Sequence, residues 1–256
     1  ENFSWSLTYQ LMALLMALNI LVTVYISSEK SNPDLAILNY KQSLSEPTKD
    51  FLERFGLKIA SILILIIATY RLTDIVMGPM ANPFYIDMGY SLSEIGYVVK
   101  VVALIATIIG VFIGGIFIKK LGLYKSLLIG AFLVMFTNLS FSYASINEKN
   151  LVLLASIVAS DSLAAGIVGT INITFLTSLV SSKYTGFQYA LLTSLMAFLG
   201  KLFGGLSGVF VESFQNLYGF SYGWMSFYIF TSCLAIPSIL MIYFNKSIFV
   251  QTNANN

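Results

Sequence analysis

Five charged residues lie inside long apolar stretches of the chain: Arg71, Asp74, Lys100, Asp161 and Lys201. A charge at the centre of a bilayer costs at least about 2.5–3.5 kcal/mol on insertion scales, so such residues face a protein interior or a wet cavity. A carboxylate there could take up and release a proton. A cation could hold an anionic group, and Arg71 could do so through two hydrogen bonds. These residue types therefore indicate ion binding and proton transfer.

Helical spacing predicts which of these charges meet. Arg71 and Asp74 are three residues apart, so they share one helix face. A rise of about 1.5 Å per residue places Lys100 at their depth, in the outer half of the membrane, and Asp161 near the midplane at about the level of Lys201. We expect Asp74 to pair with Lys100 or Arg71, and Asp161 with Lys201, which leaves one cation for an anionic substrate. The alternative is a set of ion pairs that only fixes the register of the helices.

Either carboxylate could couple transport to protons. Asp161 is the better candidate because of its depth, and Asp74 is the second. Asn138, Thr170 and Asn172 could add hydrogen bonds in a polar cavity, or they could simply join helices to one another.

The elements that must position these residues are seven apolar runs. The chain is 57% hydrophobic and 10% charged, with a mean hydropathy of +0.82. A spanning helix needs about 20 apolar residues, so the sequence predicts an all-α integral membrane protein with about seven transmembrane helices. The runs lie at about 5–27, 57–80, 93–118, 124–145, 151–180, 187–211 and 222–244.

The loop charges predict the orientation. With the loops assigned alternately to two sides, ten basic residues fall on one side and only Lys149 on the other, and basic loops stay in the cytoplasm. The linker and the C-terminus are therefore expected in the cytoplasm. The ten residues are Lys30, Lys41, Lys49, Arg54, Lys58, Lys119, Lys120, Lys125, Lys183 and Lys246.

The pattern of one run, a polar stretch and six closely spaced runs predicts the domain organisation. We expect a transmembrane helix of a preceding half at 1–28, a cytoplasmic linker at 29–56 with a surface helix near Thr48–Leu57, a six-helix bundle at 57–246 and a disordered tail at 247–256. Gly78-Pro79 is expected to stop the second run or to bend it. Gly110 and Gly114, and the ridge Gly200, Gly204 and Gly208, are expected to let helix backbones touch.

Composition excludes several classes of function. The chain has no histidine and one cysteine, Cys233, which rules out His-based metal sites, Ser-His catalysis and a disulfide framework. The net charge is only +2 and the basic residues flank helices, which argues against nucleic-acid binding. We expect no enzyme, no cofactor and no metal, with membrane lipid and protons among the partners.

The junction of the third and fourth runs has a recognisable motif: residues 114–125 read Gly-Gly-Ile-Phe-Ile-Lys-Lys-Leu-Gly-Leu-Tyr-Lys. This motif resembles the gating loop of the major facilitator superfamily, with Gly115, Lys120 and Gly122 in register with that loop. Lys119 stands where the superfamily has Asp, so the Asp-based gating contact does not carry over. The resemblance implies that run one is the sixth helix of a twelve-helix fold and that the other runs are helices seven to twelve.

Several motifs within residues 57–244 carry a more specific resemblance. They are Tyr70-Arg71-Leu72-Thr73-Asp74, Gly89-Tyr90-Ser91-Leu92-Ser93-Glu94-Ile95-Gly96, Asp161-Ser162-Leu163-Ala164-Ala165-Gly166 and Tyr184-Thr185-Gly186-Phe187-Gln188-Tyr189-Ala190-Leu191-Leu192 with Gly200-Lys201. These motifs resemble those of the AmpG-type muropeptide permeases within that superfamily. Two sites depart from the family: Asp161-Ser162 stands where it has Glu-Asn, and Lys201 where it has Arg, so charge is kept. The resemblance implies a proton-coupled symporter of a bacterial inner membrane that imports N-acetylglucosaminyl-anhydro-N-acetylmuramyl peptides, which are anionic glycopeptides, for cell-wall recycling.

Two other readings of the sequence stay open. The same fold could carry another organic anion, such as a nucleotide-like or acyl-CoA cargo, or the chain could be a membrane remnant that transports nothing. We expect the chain to be the C-terminal half of a carrier plus one helix, with an N-terminal half as its partner, because the binding site of such a fold lies between two halves. By itself it is expected not to transport.

Overall fold

The computed structural model describes residues 5–26 and 40–249, with side chains from Leu44 onward in the second range. The described residues are almost entirely helical. A π-helical segment, Val98–Val102, joins α4 to α5. The α-helices are α1 (Trp5–Ile26), α2 (Tyr40–Tyr70), α3 (Leu72–Asp87), α4 (Leu92–Tyr97), α5 (Ala103–Ser145), α6 (Leu151–Leu179), α7 (Thr185–Gly205), α8 (Ser207–Tyr218), α9 (Phe220–Cys233) and α10 (Ile236–Phe244).

Within the described ranges, six helical stretches are long and apolar enough to cross a membrane. They are Trp5–Ile26, Leu44–Asp87, Leu92–Ser145, Leu151–Leu179, Thr185–Tyr218 and Phe220–Phe244. The third is 54 residues long, well beyond the ~20 that one crossing needs.

That third stretch folds back on itself at Gly122, whose φ of 76° is closed to most other residues. We call the arms α5a (103–121) and α5b (123–145). Along α5a, Gly110 and then Gly114 lie against Leu163 and then Ile167, so this arm runs parallel to α6.

The second arm runs the other way. Along α5b, Gly130 lies against Val168, whereas Phe141 lies beside Leu154 and Ile157, so α5b is antiparallel to α6. The two arms are therefore separate crossings. The prediction of an all-α membrane protein with about seven spanning helices is confirmed.

Two apolar clusters divide the bundle of residues 44–249 along its length. The first, at the end with the lysine-rich turns, includes Tyr70, Leu127 and Phe175. The second, at the other end, is built around the aromatic side chains of Phe84, Phe141, Trp224 and Tyr228, whose ring centroids lie 5.0–6.1 Å apart. Such clusters bury most of the apolar surface that holds the helices together.

Trp224 belongs to that second cluster. The side chain is 1% exposed, and its Nε1 donates a hydrogen bond to the Asp87 carboxylate at 3.0 Å. A buried indole needs such a partner.

Of the two outcomes expected at Gly78-Pro79, the stop is wrong and the bend stays a prediction. α3 continues through Pro79 and Pro83 to Asp87, because neighbouring helices re-satisfy backbone groups that a proline frees. The interruption lies instead at Arg71, between α2 and α3, where φ and ψ are −105° and 7°.

Two further boundaries differ from the prediction. The helix predicted near Thr48–Leu57 in the linker is present but begins earlier: it spans 40–55 and ends at Gly56, whose φ is 70°, before the apolar run at 57–70 begins. The expected disordered tail starts too early at 247, because Ile248 and Phe249 are buried and the Phe249 ring lies 5.8 Å from that of Phe175. Residues 250–256 lie outside the described ranges.

The close contact between α5a and α6, which we call the seam, requires residues that have no side chain. A Cβ on Gly110 would collide with the backbone carbonyl of Leu163, whereas a Cβ on Gly115, in the same arm, would meet nothing within 4 Å. The expected close contact at the first two glycines is thus present, with Gly166 on the facing helix.

These two glycines provide a matched test of the seam. We predict that Gly110→Ala lowers the thermal unfolding midpoint in detergent, with an overpacking cost of about 1–3 kcal/mol. Gly115→Ala should hold or raise the midpoint, since alanine is the better helix former. Equal midpoints for the two variants would contradict the close packing of Gly110 against α6.

Candidate functional site

The Arg71–Asp74 pair forms the centre of the site. The Arg71 guanidinium donates to Asp74 Oδ2 at 3.3 Å, and both side chains are partly buried. Arg71 lies at the break between α2 and α3, and Asp74 is in the first turn of α3, where a helix dipole also favours negative charge. Arg71 thus neutralises the charge of Asp74 locally. It is one of the two partners predicted for Asp74, the other being Lys100.

Asp161, on α6, has a different environment. The Thr137 hydroxyl of α5b, which donates to the Val134 carbonyl at 3.1 Å, is near enough to influence its carboxylate, and Asp74 is near enough for the two negative charges to interact. Tyr85 of α3 is close enough to feel the charge as well. Among the described residues Asp161 has no cationic partner, because none of their four ion pairs includes it.

The predicted pairs Asp161–Lys201 and Asp74–Lys100 are not formed. Lys100 and Lys201 are exposed side chains, and neither takes part in an ion pair within the part of the chain that the structure describes. Depth along a helix axis predicted that Lys201 could reach Asp161, but α7 packs Gly200 and Gly204 against Ile75 of α3 and leaves the Lys201 side chain exposed. Both lysines are left for other anionic groups.

The three intramembrane cations lie at or near breaks in the regular helices. Arg71 interrupts the α2–α3 span, and Lys100 is the middle residue of the π-helical segment. Lys201 precedes by a few residues the break at Leu206, where α7 gives way to α8. Single π turns and discontinuous membrane helices occur frequently at functional sites.

Two glycines bring α7 against α3 at this level. A Cβ on Gly200 would overlap the side chain of Ile75, and one on Gly204 would lie 2.9 Å from the Ile75 carbonyl. Ile75 follows Asp74 and Gly200 precedes Lys201, so this contact sets the separation between the Arg71–Asp74 pair and Lys201.

The site lies where the two apolar clusters meet. Arg71 and Asp74 are flanked by Tyr70 of the first cluster and Met77 of the second, and Asp161 lies between Val158 of the second cluster and Leu163, which packs on the first. The five charges occupy the α2–α3 break, α3, the π segment, α6 and α7. The interiors of α5b, α9 and α10 carry none.

The three polar cavity candidates lie between helices. Asn138 is fully buried: its amide donates to the Val134 carbonyl and its Oδ1 accepts from Thr231 at 3.0 Å, so it joins α5b to α9 and does not line a cavity. Thr170 donates to the carbonyls of Gly166 and Val111. The Asn172 amide reaches only the Met196 sulfur at 3.5 Å, and its buried Oδ1 has no partner among the described residues.

The predicted gating loop is the turn between α5a and α5b. Gly122 supplies the positive φ that the reversal needs, Gly115 faces open space, and Lys120 is exposed. The described ion pairs include none of Lys119, Lys120 and Lys125. The contact that this loop makes during gating stays a prediction.

Sequence reasoning missed two groups of residues. Thr137 and Tyr85 approach Asp161 from other helices, and no local pattern indicates such a contact. Asp50, Arg54 and Gln188 form a polar network far from the intramembrane charges; the i, i+4 spacing of Asp50 and Arg54 was the one available signal.

Comparison with known proteins agrees with this architecture. The pattern of the Major Facilitator Superfamily matches residues 1–205. The Anhydromuropeptide permease of Escherichia coli strain K12 is 29% identical over 254 residues, which cover 98% of this chain and 49% of the permease. A Rickettsia felis protein named as an AmpG transporter is 29% identical over 253 residues, 96% of this chain and 58% of the relative. Another, from Rickettsia prowazekii, is 32% identical over 195 residues, 75% and 42% of the two chains.

The fold and the charged site define a multi-pass helical membrane protein of the transporter class. The chain belongs to the Major Facilitator Superfamily, and the relatives confirm the AmpG-type resemblance that its motifs carry. The chain spans about half the length of the curated relatives it matches.

The Arg71–Asp74 pair gives a test of the site's energetics. We predict that Arg71→Met lowers the thermal midpoint, because it leaves Asp74 without its cation, and that adding Asp74→Leu restores most of the loss. Both side chains keep some exposure, so the loss should fall below the roughly 3–5 kcal/mol of a fully buried pair.

Lys149→Met is the control, since it breaks a 2.8 Å pair with Glu94 at the end of the bundle, where water can replace the lost partner. A double variant less stable than Arg71→Met would contradict the proposed pairing.

Proposed function

We propose that the chain is part of a proton-coupled secondary transporter that imports anhydromuropeptides, with Asp161 as the coupling carboxylate. The observation that supports this most is the contrast between the two acidic residues. Asp74 is paired with Arg71 at 3.3 Å, whereas Asp161 has no cation beside it among the described residues.

A coupling carboxylate must exist in two protonation states during one cycle. Asp74 would leave the Arg71 charge unbalanced whenever it took up a proton, which is costly inside a membrane. Asp161 can take up a proton without breaking an ion pair, and the neutral carboxyl would relieve its repulsion with Asp74. The proton would bind from the outer side and leave to the cytoplasm.

The two free lysines support an anionic cargo. Lys100 and Lys201 are exposed and without an ion-pair partner among the described residues, and a cation inside a membrane protein is most stable when an anion reaches it. The peptide carboxylates of an anhydromuropeptide would provide such groups. One relative is named an Anhydromuropeptide permease, which favours this cargo over other anions.

The rest of the site would come from a second half. The binding sites of such transporters lie near the bilayer midplane where two repeats meet. The chain covers 49% of the E. coli permease, and we propose that a preceding half completes the site across from α3, the π segment, α6 and α7. The membrane would be a bacterial inner membrane, with the lysine-rich turns and the C-terminus in the cytoplasm.

A different organic anion is the second candidate, because the lysines alone do not discriminate between carboxylates and phosphates. The acyl-CoA or nucleotide-like cargo of other superfamily members would meet the same two cations. Competition between labelled anhydromuropeptide and each of these anions separates the candidates.

Proton coupling is tested in the transporter complete with both halves, expressed in cells that lack their own muropeptide permease. We predict that Asp161→Asn abolishes accumulation of labelled anhydromuropeptide against its gradient but allows counterflow exchange, because asparagine mimics the protonated carboxyl. Wild-type accumulation should collapse with a protonophore.

Asp74→Asn and Ser160→Ala are the controls. Asp74→Asn should reduce uptake and leave the residue proton-driven, and Ser160→Ala, next to Asp161 in sequence, should behave as wild type. Proton-driven accumulation by Asp161→Asn would contradict the assignment. Wild-type cells that take up no anhydromuropeptide would contradict the cargo.

A further inference from the structure

Gln188, in the first turns of α7, is an amide with every hydrogen-bonding position used. It is 2% exposed. Its Nε2 donates to the Pro47 carbonyl and to Asp50 Oδ2, each at 2.8 Å. Its Oε1 accepts from the Ser181 backbone N–H at 2.7 Å and from Arg54 at 3.0 Å. A buried amide satisfied in this way specifies a single arrangement of its neighbours.

Arg54 completes the network from the other side. Its Nε donates to Asp50 Oδ2 at 3.0 Å, and one terminal nitrogen donates both to Gln188 and to the Leu179 carbonyl at 3.0 Å. Leu179 is the last residue of α6, whose final carbonyls have no partner within the helix, so the guanidinium caps that helix. The guanidinium also lies 5.1 Å from the centre of the Phe55 ring.

The network therefore joins three elements at one point. The first is the helix at 40–55, which we call the linker helix; its Phe51 is buried in the first apolar cluster. The second is the end of α6 and the third is the start of α7. These are the helices that carry Asp161 and Lys201 in the membrane.

We propose that Asp50, Arg54 and Gln188 form a latch that makes the linker helix one rigid body with α6 and α7, so that movement of the bundle is passed to the linker and not absorbed by it. We call these three residues the linker latch. The proposal rests on the proposed transport function, in which the bundle moves between two states.

The linker latch is built to stay closed. Opening it would leave the buried Gln188 amide and the Leu179 carbonyl without their partners on the linker helix, and an unsatisfied buried polar group is costly. Gly56, with its φ of 70°, breaks the helix just after the latch, so the linker helix leaves the apolar run at 57–70 at an angle. Its orientation is thus set by the latch.

Two measurements on the complete transporter test the proposal. Hydrogen exchange of backbone amides reports whether the linker helix is held, and initial rates of labelled anhydromuropeptide uptake report whether holding it matters. We predict that Gln188→Leu, which keeps the side chain's bulk, removes exchange protection at residues 48–55. The maximal uptake rate should fall while the KM stays unchanged, since Lys100 and Lys201 are untouched.

Two variants serve as controls. Asp50→Asn keeps an oxygen that accepts from both Arg54 and Gln188, so it should preserve protection and uptake. Thr185→Val, on the exposed side of the same first turns, loses only a bond to its own preceding turn and should also behave as wild type.

The outcomes separate the possibilities. Unchanged protection in Gln188→Leu would overturn the latch. Lost protection with normal uptake would show that the latch holds the linker helix without passing movement of the bundle to it, and would overturn that part of the proposal. Absence of uptake in the wild type would overturn the proposed function, and the exchange measurement would still decide whether the latch holds the linker helix.

Discussion

The cost of placing charge inside a membrane is the constraint on which the rest of this structure depends. At about 2.5–3.5 kcal/mol or more per central charge, five such residues would outweigh the whole stability of a typical domain if they faced lipid. The bundle answers this cost in two ways. Arg71 and Asp74 neutralise one another, and Asp161 lies among Thr137, Tyr85 and Asp74 at the meeting of two apolar clusters. Lys100 and Lys201, without such partners among the described residues, require water or an anion.

Glycine residues let the helices approach closely enough to form this arrangement. Backbone contact at Gly110, Gly114 and Gly166 brings α5a against α6, and contact of Gly200 and Gly204 with Ile75 brings α7 against α3. Without a hydrophobic driving force between helices in lipid, close van der Waals approach is a main source of their association. The same contacts that hold the bundle therefore fix the spacing of its charged residues. A substitution at one of these glycines should disturb stability and site geometry together.

The sequence predicted the features that depend on composition and period. The apolar runs, the all-α membrane fold and the five intramembrane charges all follow from hydropathy, and Arg71–Asp74 follows from their i, i+3 spacing. The failed pairs, Asp161–Lys201 and Asp74–Lys100, required knowledge of how each helix is rotated about its axis. That rotation is set by contacts such as Ile75 on Gly200, between residues 125 apart in sequence. Likewise no residue type indicated the break at Arg71 or the π segment around Lys100. The prolines suggested a stop or a bend, and the helix continues through them.

In the linker, too, the helix could be predicted from neighbouring residues, whereas its contacts with residues far away in the sequence could not. A surface helix near Thr48–Leu57 could be predicted from its local pattern, and a helix is present there. Its attachment through Gln188 to the ends of α6 and α7 joins residues more than 130 positions apart, so no window of sequence contains it. The parts of the structure that bear most directly on the proposed mechanism are those that depend on such distant contacts.

The central claim is that the exposed intramembrane lysines face water, while equally exposed apolar residues elsewhere contact lipid. It is tested most directly by cysteine labelling in intact membranes, with Cys233→Ser as background. Lys201→Cys should react with a charged, membrane-impermeant maleimide, and the reaction should slow when anhydromuropeptide is present. Phe136→Cys, at a position 59% exposed on α5b, should not react because lipid excludes the reagent. An unreactive Lys201→Cys, or equal reactivity at both positions, would contradict the account.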